Sequence, residues 1–263
     1  MLGVPRTVMH RGAGGVAPEN TLAAIAAGGS VRPDFVEVDV QLTADGVPVL
    51  LHDTTLRRTT NVEVVFPERA DAPLRSFTYD EVRRLDAGSW FGDAFAGEPV
   101  PAFGEILDAI PPGVGVFVEL KYPGESPDLV SASAAAFAAD SRWAHRAAAR
   151  QVMALSFDHV ALHELHARHP DIAAMPLGVV PEDASVLAAT ATWATAWGTN
   201  HRTVTAADVA RIHAAGMACS VYTVNSPTAV ADLVGAGVDI ITTDFPGIVP
   251  MVERAQGDVR WAS

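Results

Sequence analysis

An alternation of strand-like and helical segments runs the whole length of the chain and constrains its fold more than any other feature. Strands are predicted at Thr7–Arg11, Asp34–Gln41, Gly115–Lys121, Gln151–Phe157, Ile172–Val180, Thr195–Asn200, Ala218–Val224 and Asp239–Asp244. Helical patterns fall between them at Thr21–Gly28, Asp128–Ala149, Asp158–His169, Thr205–Ala215, Pro227–Val234 and Phe245–Ala255. Several open on Thr, Asp or Ser-Pro and close on Gly, as helix termini prefer. Eight strand–helix units in 263 residues predict an α/β fold, a parallel (β/α)₈ TIM barrel, with a doubly wound open sheet as the structural rival.

The segment from Arg57 to Pro101 interrupts the alternation and reads as a small insertion after the second strand, overhanging the barrel mouth. Its one helix signal is Thr78 with Glu81, spaced as a capping box ahead of Val82 and Leu85. The rest reads as long loop, with Trp90 and Phe91 expected to plug the space beneath it rather than form an exposed lip.

Charge excludes one class of partner. With 31 acidic against 18 basic residues the formal net charge is −13, so affinity for nucleic acid through a broad basic face is not expected. A single cysteine, Cys219, allows no intramolecular disulfide and reads as a buried small hydrophobe. The opening residues lack the pattern of a signal peptide, and no apolar run reaches the ~18 residues of a membrane span. A cytoplasmic protein without integral membrane association is the expectation; oligomeric state is left open.

The chemistry-bearing residues gather at the predicted strand ends. In Phe35-Val36-Glu37-Val38-Asp39-Val40 the side-chain period of two places Glu37 and Asp39 on one face and the valines on the other. Two carboxylates aimed the same way repel each other unless a cation or strong donors lie between them, and barrel strands do not face water. Asp45-Gly46 then signals a hairpin turn. With those two residues in the turn, Ala44 faces Val47 and Asp39 faces His52, which sets an imidazole beside the acidic pair.

Glu119 and Lys121 share a face at the end of the third strand, and Lys121 is the only lysine among 18 basic residues. A chain that otherwise uses arginine here places a compact ammonium where barrel enzymes build their sites. At the first strand's end, His10-Arg11-Gly12 leads through a glycine-rich turn to Pro18-Glu19-Asn20-Thr21. Three carboxylates, two histidines, one arginine and one lysine thus converge at the ends of strands one to three. Oxygen ligands without cysteine suit a hard cation, Mg²⁺ or Ca²⁺. The set suits metal-assisted hydrolysis of a phosphodiester with the histidines as acid and base. A Schiff-base aldolase using Lys121 and a non-catalytic phosphate-binding barrel are the competing readings.

The same residues carry a family likeness. His10–Gly12, Pro18–Thr21, Glu37–Val40, Asp45–Asp53, Arg58–Asn61, Leu85–Phe91, Glu119–Lys121, Ser156–Asp158, Val221–Asn225 and Ile241–Asp244 follow in order along nearly the whole chain, and together the sequence resembles a glycerophosphodiester phosphodiesterase. The resemblance implies a TIM barrel that hydrolyses small glycerophosphodiesters to glycerol 3-phosphate and an alcohol. It implies one divalent cation held by Glu37, Asp39 and Glu119, and an acid–base pair of His10 and His52. It further implies phosphate binding by Arg11 and Lys121, with Glu19 and Asn20 supporting the site and the insertion shaping the glycerol end of the pocket.

Two positions depart from the family pattern. Tyr222 stands where the family often has tryptophan, in the wall facing the substrate, and Val62 replaces a glycine common after Arg58-Thr59-Thr60-Asn61. A lysophospholipase D-type reaction on lysophospholipids is the runner-up within the same chemistry. His145, His159, His163, His166, His169 and His213 lie in helical patterns and read as surface or packing residues; His201 follows the sixth strand and is unassigned.

Overall fold

In the computed structural model, which describes residues 5–28 and 32–252, eight parallel strands form the wall of a barrel. These are β1 (Arg6–Met9), β2 (Phe35–Leu42), β4 (Gly115–Leu120), β5 (Val152–Ser156), β6 (Ala173–Pro176), β7 (Ala196–Asn200), β8 (Ala218–Tyr222) and β9 (Ile240–Thr243), with β3 (Pro48–Leu50) a short antiparallel partner of β2. Their order is β6-β5-β4-β2-β1-β9-β8-β7, and a parallel bridge between Leu177 and Gly198 joins the two edges. The ring disposes of the doubly wound alternative.

Alternation along β2 sorts its residues. Val36, Val38 and Val40 pack outward with Ile25, Ile106 and Leu129 beneath the helices. Phe35 points the other way and meets Val8, Phe117, Leu155, Met175, Ala196 and Ile240, contributions from almost every strand of the wall. That apolar cluster is the floor of the lumen. One step further along the same face, above Phe35 and Phe117, come Glu37, Asp39 and Glu119. A second outer cluster, built on Trp197, Ile212, Val230 and Ile241, covers the β7–β9 side.

Four expectations need correction. The segment read as one helix over Asp128–Ala149 is two, Leu129–Ala139 and Ser141–Ala148, because Asp140 leaves helical geometry and caps the second through Arg142 N. The β2–β3 hairpin is in a different register: Val40 pairs with Leu50 and Leu42 with Pro48, so the loop is Ala44-Asp45-Gly46 and Asp39 lies opposite Leu51, not His52. A three-residue loop with its last residue left-handed, here Gly46 at φ +79°, is the next commonest hairpin closure and moves every pair by one.

The insertion is also more ordered than a loop. It carries helical turns at Val62–Val65 and Tyr79–Val82, the latter with the expected Thr78–Glu81 capping box, and short 3₁₀ turns at Pro67–Arg69, Leu74–Ser76 and Asp93–Phe95. It closes on its own core of Val49, Leu56, Val62, Leu74, Phe77 and Leu85. Trp90 and Phe91 are not in that core: Trp90 is 41% exposed and meets Phe91 edge-on at the surface. The plug is Phe77 instead.

The last helix is seen over 248–252, and the remainder of the stretch expected to end at Ala255 lies outside the described residues. No helix among the described residues is long and apolar enough to cross a membrane.

Candidate active site

Every residue proposed from sequence for the site comes to the C-terminal ends of β1, β2, β4 and β8. Glu37 and Asp39 rise from β2, and Asp39 stands in register beside Glu119 of β4. Carboxylate oxygens from Glu37, Asp39 and Glu119 lie within 4.8 Å of one another. Above them a cavity of about 170 Å³ is walled by His10, Arg11, His52, Lys121 and Tyr222 among others. His52 reaches it without the predicted pairing, because the chain leaves the β3 ladder after Leu50; Gln41 Nε2 fixes the new path by donating to the carbonyls of Leu51 and Asp53, both at 2.7 Å.

The first loop is shaped by backbone conformation. Arg11 (φ 54°) and Asn20 (φ 57°) are both left-handed, and Gly12 follows at φ +78° against the first helix. A Cβ at Gly12 would lie 2.7 Å from the backbone carbon of Ala24, so only glycine fits this approach. The turn lets Arg11 N donate to Glu37 Oε2 at 2.8 Å while its guanidinium comes back to Glu19 Oε1, also at 2.8 Å, with Nε 3.4 Å from Asp39 Oδ2. Asn20 grips Asp39 twice, donating from Nδ2 to Oδ2 at 2.8 Å and accepting from Asp39 N at 3.1 Å.

The electrostatics are those of an acidic nest held between two cations. Burial pushes the Asp39 carboxyl up, but Arg11, Lys121, His52 and the Asn20 hydrogen bond outweigh it and hold it below the usual range. Glu37 goes the other way, well above its usual value, through burial and the charges of Asp39 and Glu119. Burial and Asp39 push Glu119 up to about 7, against the pull of Lys121. Burial opposes the charge on Lys121, yet Glu119, 2.9 Å from Nζ, and Asp39 raise it above the ordinary lysine value. A lysine held protonated is the opposite of a Schiff-base nucleophile, which removes the physical basis of the aldolase reading.

Glu37 Oε1 and Asp39 Oδ1 are buried with no hydrogen-bond donor among the described residues. Buried carboxylate oxygens without a donor are costly, and a hard divalent cation coordinated by carboxylate oxygens would satisfy both. The donor set therefore fits the expected ion.

Four further residues complete the arrangement, and their roles were not read from sequence. Asp244, just beyond β9, lies 2.7 Å from His10 Nδ1. Asn225 donates to Asp244 from its side chain at 2.5 Å and accepts from Asp244 N at 3.0 Å. Asp53 lies 2.7 Å from His52 Nδ1, and Arg58 binds both Asp53 and, through two parallel bonds of 2.7 Å, Glu19. Arg58 brings the Asp53 carboxyl down to about 2, with His52 adding to the shift, and His10 holds Asp244 below its usual value against burial. An ionised carboxylate can only accept, so each histidine carries its proton on Nδ1 and turns Nε2 toward the cavity. The available signal was position: Asp53, Asn225 and Asp244 each follow closely on a strand, whereas Arg58 lies at the start of the insertion and carried no such signal.

The remaining expectations fall into place simply. Cys219 is buried at the base of β8, its thiol pushed up to about 12 by burial and Asp239. His159, His166 and His169 bond the backbone carbonyls of Leu177, Ile172 and Ala134, and His201 Nδ1 meets the Tyr222 carbonyl at 3.1 Å. Tyr222 sits edge-on to Phe157, 5.9 Å between ring centroids.

Comparison with known proteins gives concordant matches. Residues 10–248 match the Glycerophosphoryl diester phosphodiesterase family. A glycerophosphodiester phosphodiesterase of Bacillus subtilis (strain 168) is 28% identical over 94% of this chain and 86% of its own length. A phosphodiesterase of Oleispira antarctica, solved in complex with the product sn-glycerol-3-phosphate, superposes with a TM-score of 0.81 at 27% identity, covering 95% of this chain and 97% of its own. A glycerophosphodiester phosphodiesterase of Agrobacterium tumefaciens str. C58 gives 0.71 at 28% identity, with 93% and 98% covered.

Proposed function

Since the chain belongs to the glycerophosphoryl diester phosphodiesterase family and is a phosphoric diester hydrolase, we propose that it cleaves small glycerophosphodiesters to glycerol 3-phosphate and an alcohol, using one divalent cation and two histidines. The observation that carries this reading is the juxtaposition of the Glu37–Asp39–Glu119 cluster with two imidazoles whose Nδ1 atoms are tied to carboxylates.

Glu37, Asp39 and Glu119 would hold the ion, Mg²⁺ or Ca²⁺. Such an ion supplies Lewis-acid stabilisation of the negative charge that grows on the phosphoryl oxygens. The chain's own residues do the rest. Arg11 and Lys121 face the cavity and offset the diester's charge, which lets an anion enter a protein of net charge −13. His10 and His52 work through Nε2: one accepts a proton from the attacking oxygen as the new P–O bond forms, and the other donates a proton to the alcohol oxygen as the old bond breaks. Burial holds His52 below the ordinary histidine value, with Arg11 adding to the effect against Asp39, so it is neutral at neutral pH and suited to accept. Glu19 and Asn20 keep Arg11 and Asp39 in place, and Tyr222 forms part of the substrate wall.

The test is release of sn-glycerol 3-phosphate from glycerophosphocholine, glycerophosphoethanolamine and glycerophosphoglycerol, with Mg²⁺, with Ca²⁺ and after exhaustive chelation. Metal-dependent release is expected; a full rate after chelation would overturn the metal role, and no hydrolysis of any diester would overturn the substrate class. Phe157, 56% exposed beside Tyr222, favours one second reading, a lysophospholipid whose acyl chain lies on that apolar rim. Faster cleavage of lysophosphatidylcholine than of glycerophosphocholine would establish it.

A further inference from the structure

At the opposite end of the barrel from the catalytic cavity lies a cleft of about 720 Å³. It is bounded by the first residues of β1, β2 and β4 and by Gln151 ahead of β5. Three arginines line it, Arg6, Arg32 and Arg150, against one carboxylate, Asp34. The Asp34 carboxylate is already engaged, accepting from Thr7 N at 2.8 Å. Among the described residues no carboxylate lies within ion-pair distance of Arg6, Arg32 or Arg150. Elsewhere among the described residues Arg57, Arg58, Arg69, Arg83, Arg142, Arg168 and Arg211 have one, and Arg75, Arg84, Arg146 and Arg202 do not, so what sets the cleft apart is that three such arginines line one concavity.

The placement of two of these arginines is unusual. Arg32 (φ 51°) and Arg150 (φ 55°) are both left-handed, and Arg150 closely follows the end of the Ser141–Ala148 helix, with Gln151 N donating to Arg146 O at 2.8 Å. Glycine is the ordinary residue for a left-handed backbone because it adopts this conformation without strain. Here both positions carry arginine instead, and both arginines line the same cleft. Pro33, Pro111 and Pro112 stiffen its walls. In an acidic protein, uncompensated like charges gathered in a concave, rigid setting repel one another, and an oxyanion relieves that repulsion through the paired donors that guanidinium offers.

We infer that this cleft is a second ligand site, separate from the catalytic one, that takes a small multivalent oxyanion. The shared chemistry is two or more negatively charged oxygen groups on one small molecule, and both oligophosphates and polycarboxylates supply it. The concavity argues for a small molecule over an extended polymer, which a flat basic stripe would suit better.

Titration calorimetry with inorganic pyrophosphate and, separately, with citrate tests the site on protein kept in excess Mg²⁺. The comparison is between the wild type, the charge-reversed double variant Arg32→Glu/Arg150→Glu, and Lys121→Met as a control on the catalytic site. Saturable one-to-one binding is expected for the wild type and Lys121→Met, weakened at least ~10-fold in the double variant, whose kcat/KM on a glycerophosphodiester stays within about twofold of wild type. Should the double variant fail to fold, Arg32→Gln and Arg150→Gln taken singly are each expected to weaken binding. Binding undiminished by these substitutions, as it would be for chelation of the metal or entry to the catalytic site, overturns the proposal, as does the absence of saturable binding. The stronger of the two probes identifies the oxyanion class.

Discussion

Asp244 and His10 are 234 positions apart in the chain, yet a carboxylate oxygen of the one accepts from Nδ1 of the other at 2.7 Å. They meet because β1 and β9 are neighbours in the closed ring, so the residues following each strand share one stretch of rim. Asn225, reached through the loop after β8, holds the carboxylate from its far side. Asp244→Ala removes the group that fixes the imidazole's tautomer and orientation while leaving the substrate pocket intact. The expected result in steady-state kinetics is a fall in kcat of roughly 10²-fold with KM within a few-fold of wild type. An unchanged kcat would remove His10 from the proton-transfer chemistry.

The acidic nest makes opposite demands in the presence and absence of metal. Glu37→Gln removes one buried charge from a cluster whose oxygens lack donors, so in chelated protein its melting temperature is expected to rise above that of chelated wild type. With saturating Mg²⁺ the order reverses, since the wild type gains binding energy that the variant has largely lost. Activity is lost in the variant under either condition. Differential scanning fluorimetry with and without chelator checks the crossing; parallel behaviour in the two would show that no ion binds at Glu37.

Lys121 is not interchangeable with arginine. Its ammonium sits mostly buried, 2.9 Å from Glu119 and 3.7 Å from Asp39, an approach made by a compact point charge whose geometry a planar guanidinium fork does not reproduce. Lys121→Arg is expected to lower kcat/KM by roughly 10²-fold despite keeping the charge, with Lys121→Met lower still. Retention of full activity by the arginine variant would show that charge alone suffices.

At Gly12 the requirement is steric and conformational together. Gly12→Ala forces a Cβ to within 2.7 Å of Ala24 backbone at φ +78°, and a cost of about 2–4 kcal/mol is expected. Denaturant unfolding would read it as a lowered midpoint with an unchanged slope. The same shift of the loop should displace Arg11 and depress activity.

Asp86 organises the insertion and provides a pH-dependent test. Burial pushes its carboxyl up, but hydrogen bonds from the Ser89 hydroxyl and the backbone N–H groups of Ser89, Gly88 and Gly97 outweigh it and bring it from 3.8 down to about 2. The folded value is the lower one, so the ionised form stabilises the fold above about pH 4, and that stabilisation is lost as the pH falls through about 2. Asp86→Asn is expected to cost about 1 kcal/mol, or ~2–4 °C, near neutral pH. The gap between the two melting curves should narrow on acidification from pH 4 toward 2; a constant gap would show that the charge on Asp86 is not what holds the turn.

Some of this molecule is written in its local pattern. Period-two alternation in β2 sends Glu37 and Asp39 to one face because strand geometry leaves no other choice. Phe35, on the same face, then falls into the lumen and the valines beneath the helices. Thr78 with Glu81 and Thr205 with Asp208 each close a capping box, a contact spanning three residues. Such features depend on neighbours close in sequence, and the chain alone determines them. The hairpin register shows where that reach ends: two- and three-residue closures around Asp45-Gly46 are both sterically allowed, and the longer one is held by backbone hydrogen bonds from distant segments, Leu50 N to the Pro101 carbonyl and Ala44 N to the Phe77 carbonyl. The partners of the histidines lie further beyond it. Asp244 reaches His10 only when the eighth barrel strand closes on the first, and Arg58 joins Glu19 to Asp53 only when the insertion folds on its own core. Orientation of a ring nitrogen to a tenth of a nanometre depends on contacts between distant segments, and only the closed barrel brings those segments together.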